Sequence, residues 1–338
     1  MTGWTYEKSG VSIDKKSSSI ESLVGQLKYQ RKGFGQQVHH PGLFASLIDF
    51  GDRYVTLATD GVGTKILIAE ELGIWDTIGI DCIAMNVNDT ICVNATPISF
   101  VDYIAIDKPD GEVTKQVGIG LNRGAELSDM EIVGGEIAVL PEIVNGLDLS
   151  GTCMGVVDKD KIITGETCEK GDLIVSLKSS GLHSNGLTLA RKVVEANNIK
   201  MTDSVSGLTK SIGKELLTPT EIYVKQVLGI TGKHEVHGLV DITGGGLRNI
   251  LRMRKGLKYT IDDPVKPQPI FQVLQELGQI EDKEIYQTLN MGMGFTIIAP
   301  ETEAEDIARE NPNAQVVGRV EEGNGVYFAP ADVLYDHY

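Results

Sequence analysis

No stretch of about 18 or more apolar residues occurs in this 338-residue chain, so no segment reads as a membrane span. The opening MTGWTYEKSGVSIDKK lacks the apolar core of a secretory leader, which predicts a chain that is not exported. Its four cysteines, Cys82, Cys92, Cys153 and Cys168, show no metal-ligand spacing such as C-x-x-C. Isolated and mostly set in apolar runs, they read as core thiols of a reducing compartment, and the cytoplasm is the expected location. A basic surface is missing too. The net charge of -16 argues against a nucleic-acid partner, which needs cationic surface to displace counterions. It leaves an anionic small substrate open, because local lysines, glycine turns and a bridging magnesium ion can hold phosphate on an acidic protein. There is no zinc-type ligand spacing, no G-x-S-x-G elbow and no Ser/His/Asp pattern, which disfavours acyl-enzyme chemistry.

What is present is ordinary globular composition, 41% hydrophobic and 23% charged, enough for a sizeable core. The length predicts two domains. The polar, turn-rich stretch DKDKIITGETCEKGD at 158–172 places their boundary near residue 168, giving domains 1–168 and 169–338. Periodicity predicts helices at Ser18–Gln30, from about Thr64, and at Thr77–Cys92, Val113–Leu127, Ser184–Ala196, Glu221–Thr231, Leu247–Met253 and Ile270–Leu277. Strands are expected at Tyr54–Thr59, Ile98–Ile106, Leu149–Val157, Leu173–Leu177, Leu239–Ile242, Phe295–Ile298 and Val316–Val320. Mixed in this order, they give α/β or α+β layering.

The strongest local signal is Thr59-Asp60-Gly61-Val62-Gly63-Thr64-Lys65, set between a strand and a helix. Its glycines would let backbone N–H groups approach a phosphate, and a carboxylate beside such a site suggests a magnesium bridge. The spacing is not that of a Walker A loop, and an ordinary Asp-Gly turn is the competing reading. Asn86 and Asp89 are one helical turn apart on the segment 77–92, whose neighbours Ile83, Ala84, Val87 and Ile91 are apolar. Polar acceptors on a buried helix need partners, and a metal ion suits carboxylates. For Asp76 or Asp81 a helix N-cap is the competing assignment. Val133-Gly134-Gly135-Glu136 is expected to close a strand, and Asp241-Ile242-Thr243-Gly244-Gly245-Gly246 repeats the order strand, acid, glycines, helix. Close approach of an anion accounts for three glycines better than stability does, since each costs roughly 1 kcal/mol inside a helix. The turn at 179–186, SSGLHSNG, carries His183 among small and hydroxyl residues. His39-His40-Pro41-Gly42 reads as a surface loop, and His234 and His237 as structural.

Together these blocks resemble the aminoimidazole ribonucleotide synthetases, also called phosphoribosylformylglycinamidine cyclo-ligases. The resemblance runs from Tyr6-Glu7-Lys8-Ser9-Gly10-Val11-Ser12-Ile13-Asp14 to Asn290-Met291-Gly292-Met293-Gly294. Its blocks are LVGQLK at 23–28, TDGVGTK at 59–65, DTIGID at 76–81, MNVND at 85–89 and VGGE at 133–136, then SSGLHSNG, LTPTEIYVK at 217–225 and DITGGG at 241–246. The SSGxHSNG and LTPTxIYVK blocks separate the cyclo-ligases from relatives such as selenophosphate synthetase and thiamine-phosphate kinase. The chain departs from the family pattern at Ile137, Val139 and Glu142, and around Gly33-Phe34-Gly35.

The resemblance implies an α+β N-terminal domain whose strands form a shared β-barrel in a homodimer, and a C-terminal α/β domain of layered sheet and helices. It implies ATP and magnesium as cofactors and formylglycinamidine ribonucleotide as substrate, in a cleft between the domains. On that basis Asp60, Asp89 and Asp241 are expected to hold magnesium or ATP phosphates, with Asp76 and Asn86 as further candidates. Gly61, Gly63 and Thr64 would line the nucleotide, and Lys28 and Lys65 would neutralise phosphate charge. Glu136 and His183 would handle protons or orient the amidine, while Ser184, Asn185, Gly244, Gly245 and Gly246 would bind substrate. A superfamily kinase or synthetase with another acceptor, and a non-catalytic nucleotide-binding dimer, are the rival readings.

Overall fold

The computed structural model describes residues 3–11, 13–40 and 42–337. Ser12 of the first resembling block and Pro41 of the expected loop lie outside them. The first half contains helices α1 (Ile13–Val24), α2 (Ile66–Leu72), α3 (Ile78–Ile91) and α4 (Gly111–Ser128). Its strands are β1 (Gln37–Val38), β2 (Ser46–Phe50), β3 (Arg53–Gly61), β4 (Thr96–Ile106), β5 (Glu131–Val139) and β6 (Leu147–Asp158). They form one sheet in the order β1-β2-β3-β6-β4-β5. The second half holds β7 (Leu173–Lys178), α5 (Leu187–Ala196), α6 (Ile212–Leu216), α7 (Val224–Thr231), β8 (Gly238–Asp241), β9 (Leu257–Ile261), α8 (Pro269–Gly278) and α9 (Asp282–Thr288). After these come β10 (Met293–Ala299), α10 (Glu301–Glu310), β11 (Ala314–Glu322), β12 (Gly325–Phe328) and β13 (Val333–Tyr335). The second sheet runs β13-β12-β9-β11-β7-β10-β8.

Alternation along β6 shows how the first sheet is layered. Leu149, Gly151, Cys153, Gly155 and Val157 turn inward under α3, and the residues between them turn outward. Phe100 and Ile104 of β4 share that inner face. Among the described residues the outer face carries no helix. There Leu57, Val101 and Tyr103 are each about two-fifths exposed, 41%, 42% and 42%. The helices α3 and α4 touch backbone to backbone where Gly79 meets Gly120: a Cβ on Gly79 would lie 2.1 Å from the Leu121 amide nitrogen. Asp110 caps α4 by accepting from the Glu112 and Val113 amides. In the second sheet every residue of β10 is buried, which explains why its sequence is apolar apart from Thr296. A single apolar core crosses between the halves, from Ile83 and Val87 of α3 to Val224 and Val227 of α7.

Three local expectations are corrected. Asp60 and Gly61 belong to β3, paired with Gly151 and Ser150 of β6, and form no turn. The VGGE segment lies in the middle of β5, held by parallel pairing to β4, and does not end the strand. Gly246–Arg252 is a 3₁₀ segment in place of the expected α-helix, since Gly245 and Gly246 take φ of 120° and 51°. All four cysteines are free and buried, and among the described residues no helix is long and apolar enough to cross a membrane.

Candidate active site

One stripe of α3 meets the second half of the chain. Its members, Asp81, Met85, Asn88 and Cys92, recur at the four-three-four spacing that keeps residues on one helix face. Asp81 Oδ1 accepts from the Thr220 amide at 2.7 Å and its hydroxyl at 2.6 Å. Asn185 Nδ2 lies 3.7 Å from the Met85 sulfur. Asn88 donates to the Glu221 carbonyl at 2.9 Å and accepts from the Tyr223 amide at 3.1 Å. The Asp241 amide donates to Cys92 Sγ at 3.2 Å. These contacts bring MNVND, SSGLHSNG, LTPTEIYVK and DITGGG to one seam.

Three carboxylates gather there. Burial pushes Asp89 up to about 8, with the Asp60 charge adding to the shift and Arg252 opposing it. Asp241, 2% exposed, is raised well above the usual carboxylate range by burial, then by Asp89 and Asp60. Asp89 Oδ1 is enclosed with no hydrogen-bond partner, the condition of a group that awaits a cation. Among the described residues, no three His, Cys, Asp or Glu side chains already form a closed metal cage. Asp89 and Asp241 could hold an ion such as magnesium, which keeps waters and phosphate oxygens beside one or two carboxylates.

Other expected site residues have different positions. Asn86 is spent on structure: its Oδ1 accepts from the Asp60 amide, and its Nδ2 donates to the Asp60 and Cys82 carbonyls. Gly61 donates its amide to Asp60 Oδ1 at 2.7 Å, and Gly63 supplies the positive φ, 69°, that opens the 3₁₀ turn Gly63–Lys65. The Thr64 hydroxyl pairs with Thr188 at 2.9 Å. Lys65, expected to neutralise phosphate, is fully buried, paired with Asp81 at 2.8 Å and donating to the Thr218 carbonyl at 2.6 Å. His183, expected to handle protons, sits at φ 63° with its Nε2 turned to the Ser180 and Glu221 amides, 3.3 and 3.5 Å away, and burial holds it down to about 3, Lys65 contributing. A ring so placed accepts hydrogen bonds from the backbone.

Asp76 is exposed just ahead of α3, whose first residue, Ile78, stands about 16 Å along the axis from Asp89 at a rise of about 1.5 Å per residue. It cannot share a metal with Asp89. Glu136 is exposed on edge strand β5, in register with Tyr103 and Ser150 on the outer face. The sheet thus separates it from α3. Lys28 lies in the exposed stretch after α1, and the structure does not bring it to the carboxylates. In the second half, Ser184 shares a hydrogen bond with Thr220 at 3.2 Å, and a Cβ on Gly244 would meet Asn185 Oδ1 at 2.8 Å. Packing accounts for Gly246 without an anion. A Cβ on Gly246 would lie 2.1 Å from the Tyr286 carbonyl oxygen, so packing alone demands that glycine.

The AIR synthase related protein, N-terminal domain, matches residues 44–157, and its C-terminal domain matches residues 169–329. The chain belongs to the AIR synthase related family. Curated relatives of this AIR synthase related chain are named phosphoribosylformylglycinamidine cyclo-ligase. The protein of Methanococcoides burtonii is 49% identical over 94% of this chain and 95% of its own length. That of Thermoplasma acidophilum is 43% identical over 98% and 99%. Among solved structures, a thiamine monophosphate kinase from Aquifex aeolicus superposes with a TM-score of 0.62 at 18% identity, over 96% of this chain and 99% of its own. T. maritima PurL complexed with ADP gives 0.58 at 15% identity, over 88% and 44%. These two establish the shared fold.

Within this AIR synthase related fold, sequence reasoning passed over Asn88, Cys92 and Thr220, and gave Asp81 only a capping role. The signal for the first two was the polar stripe itself, spaced from Asp81 on an otherwise apolar helix. Arg252, which opposes the charge of Asp89 and Asp241 and lies 4.2 Å from the Phe44 ring, had no local signal.

Proposed function

We propose that this chain converts formylglycinamidine ribonucleotide and ATP to 5-aminoimidazole ribonucleotide, ADP and phosphate, the reaction for which its curated relatives are named. The observation that carries the reading is the convergence of Asp60, Asp89 and Asp241 at a seam also lined by Asn185 and Gly244. Carboxylates crowded against one another in a partly buried seam repel until a cation joins them. Asp89 and Asp241, with Asp60 at the rim, are the residues that would hold magnesium, and the ion would supply charge neutralisation to transferring phosphate.

Chemically, an amide oxygen leaves poorly. Phosphorylating the formyl oxygen makes it a good leaving group, and the amidine nitrogen of the same molecule then closes the ring with high effective molarity. Such chemistry asks the protein for position and charge balance more than covalent help. Positioning is what the chain's own residues provide: Asn86 fixes the end of β3 to α3, and Asn88 and Thr220 fix α3 to the second half. With His183 neutral and enclosed, the proton released on closure leaves through solvent or phosphate oxygen. The uncovered apolar face bearing Leu57, Val101 and Tyr103 supports a homodimer joined through the first sheet. A soluble cytoplasmic enzyme fits the acidic surface and free thiols.

The test is incubation of the purified protein with magnesium-ATP and formylglycinamidine ribonucleotide, with assay of both the aromatic amine and ADP. Equal amounts of each establish the reaction. ADP without amine would point to a different acceptor, and neither product would favour a nucleotide-binding dimer.

A further inference from the structure

We propose that Lys65 and Asp81 form a positioning pair that locks the two domains at the spacing in which Asp89 faces Asp241, and that Lys65 holds no phosphate. This rests on the cyclo-ligase reading for its kinetic readout only. Both side chains have zero exposure, and the ion pair measures 2.8 Å. Lys65 also donates to the Thr218 carbonyl at 2.6 Å. Asp81 Oδ1 collects three donors, Lys65 Nζ, the Thr220 amide and the Thr220 hydroxyl, whereas Oδ2 is enclosed with none. The hydrogen bonding of this carboxylate is thus loaded on the oxygen that meets the second domain. Thr220 continues the chain to Ser184 at 3.2 Å, next to Asn185.

Three segments that carry the site therefore meet at one buried charge pair, the TDGVGTK stretch, α3 and the LTPT stretch, and the SSGLHSNG turn joins them through Thr220. A buried ion pair is a poor stabiliser, since apolar residues of similar volume serve as well or better. What it supplies is geometry. Apolar side chains slide against each other at little cost, but an enclosed ammonium and carboxylate lose heavily when the Thr218 and Thr220 groups that they bond across the seam are drawn away. From Asp81 to Asp89 is eight residues of rigid helix, about 12 Å, so an offset at the pair is carried to the carboxylates. Burial disfavours the charged form of Lys65, and Asp81 opposes that effect. The lysine charge therefore depends on its partner, and no exposed face is left for a nucleotide.

The experiment compares wild type with K65M, D81N and K65M/D81N in full-length protein. It records kcat, affinity for a non-hydrolysable ATP analogue by calorimetry, and thermal unfolding. K65M strands a buried carboxylate and is expected to lower kcat about tenfold or more, with analogue affinity within about threefold of wild type. K65M/D81N removes both charges yet keeps an acceptor for Thr220, and is expected to regain kcat to within about threefold of wild type. Loss of analogue affinity by about tenfold in both K65M and the double variant would overturn the proposal, because that is the signature of a phosphate ligand. So would an unchanged kcat in K65M, or a double variant that does not fold. If K65M itself fails to fold, the double variant decides alone. Wild type that binds the analogue but makes no aromatic amine would sink the cyclo-ligase reading, leaving affinity and unfolding to judge the pair.

Discussion

Asp60 and Asn86 exchange two hydrogen bonds across the junction of β3 and α3. The Asp60 amide donates to Asn86 Oδ1 at 2.9 Å, and Asn86 Nδ2 returns one to the Asp60 carbonyl at 3.2 Å. An asparagine can do this because it carries donor and acceptor on one rigid amide. Its effect is to hold the end of β3 against α3, one helical turn before Asp89.

Asp89 should be a residue that function retains against stability. Replacing it with asparagine relieves the repulsion from Asp60 and Asp241. Asp89→Asn is expected to raise the thermal midpoint of the nucleotide-free protein by a few degrees, roughly 1 kcal/mol of stability. Turnover should fall by about a hundredfold or more. Scanning calorimetry with and without magnesium-ADP checks both, and a variant that kept normal turnover would remove Asp89 from the metal site.

His183 makes stability depend on pH in one direction. Its folded pKa, about 3, lies below the ordinary histidine value of 6.5, so between those limits the unfolded chain binds more protons. Stability is therefore full above about pH 6.5 and is lost as pH falls toward 3, by up to about tenfold in the folding equilibrium per pH unit. Urea unfolding at pH 5 and 7 should show this slope in wild type and a smaller one in His183→Gln. The same variant should keep turnover within about threefold, since general acid–base residues typically contribute a hundredfold or more.

Asn88 satisfies two backbone groups of the neighbouring domain, the Glu221 carbonyl and the Tyr223 amide. Asn88→Ala leaves both without a partner and should cost about 2–3 kcal/mol. Denaturant titration measures it. A loss below about 0.5 kcal/mol would show that water replaces the side chain.

If the open sheet face joins two copies, a charge on it should separate them. Val101, 42% exposed on that face, is the place to put one. Sedimentation of Val101→Glu at micromolar concentration should give the monomer mass where wild type gives twice that mass. Identical profiles would dismiss this face as the contact.

Asp76, exposed near the far end of α3 from Asp89, should be almost silent. Asp76→Ala is expected to change turnover and magnesium dependence by less than about twofold, as surface substitutions generally do. A marked rise in the magnesium requirement would restore it to the metal set.

The sequence alone determined much of this protein. Period-two and period-3.6 patterns placed β4, β6, β7, β10, α3 and α4 within a few residues, because each element buries one face or is wholly enclosed. Strands with little alternation or at sheet margins, such as β2, β9 and β12, went unseen. The acidic residues of the TDGVGTK, MNVND and DITGGG blocks stood out in the sequence because each follows or sits within an apolar stretch where a carboxylate needs a partner. What only the tertiary structure decided is which polar residues face the seam and which face the protein. Lys65, Asn86 and His183 sit in the same motifs as Asp60, Asp89 and Asn185, yet they are consumed by Asp81, by the β3 backbone and by buried amides. A motif gives chemistry to a stretch of chain. The direction of each side chain within it is fixed by helix phase, by one positive φ at His183, and by partners more than a hundred residues away.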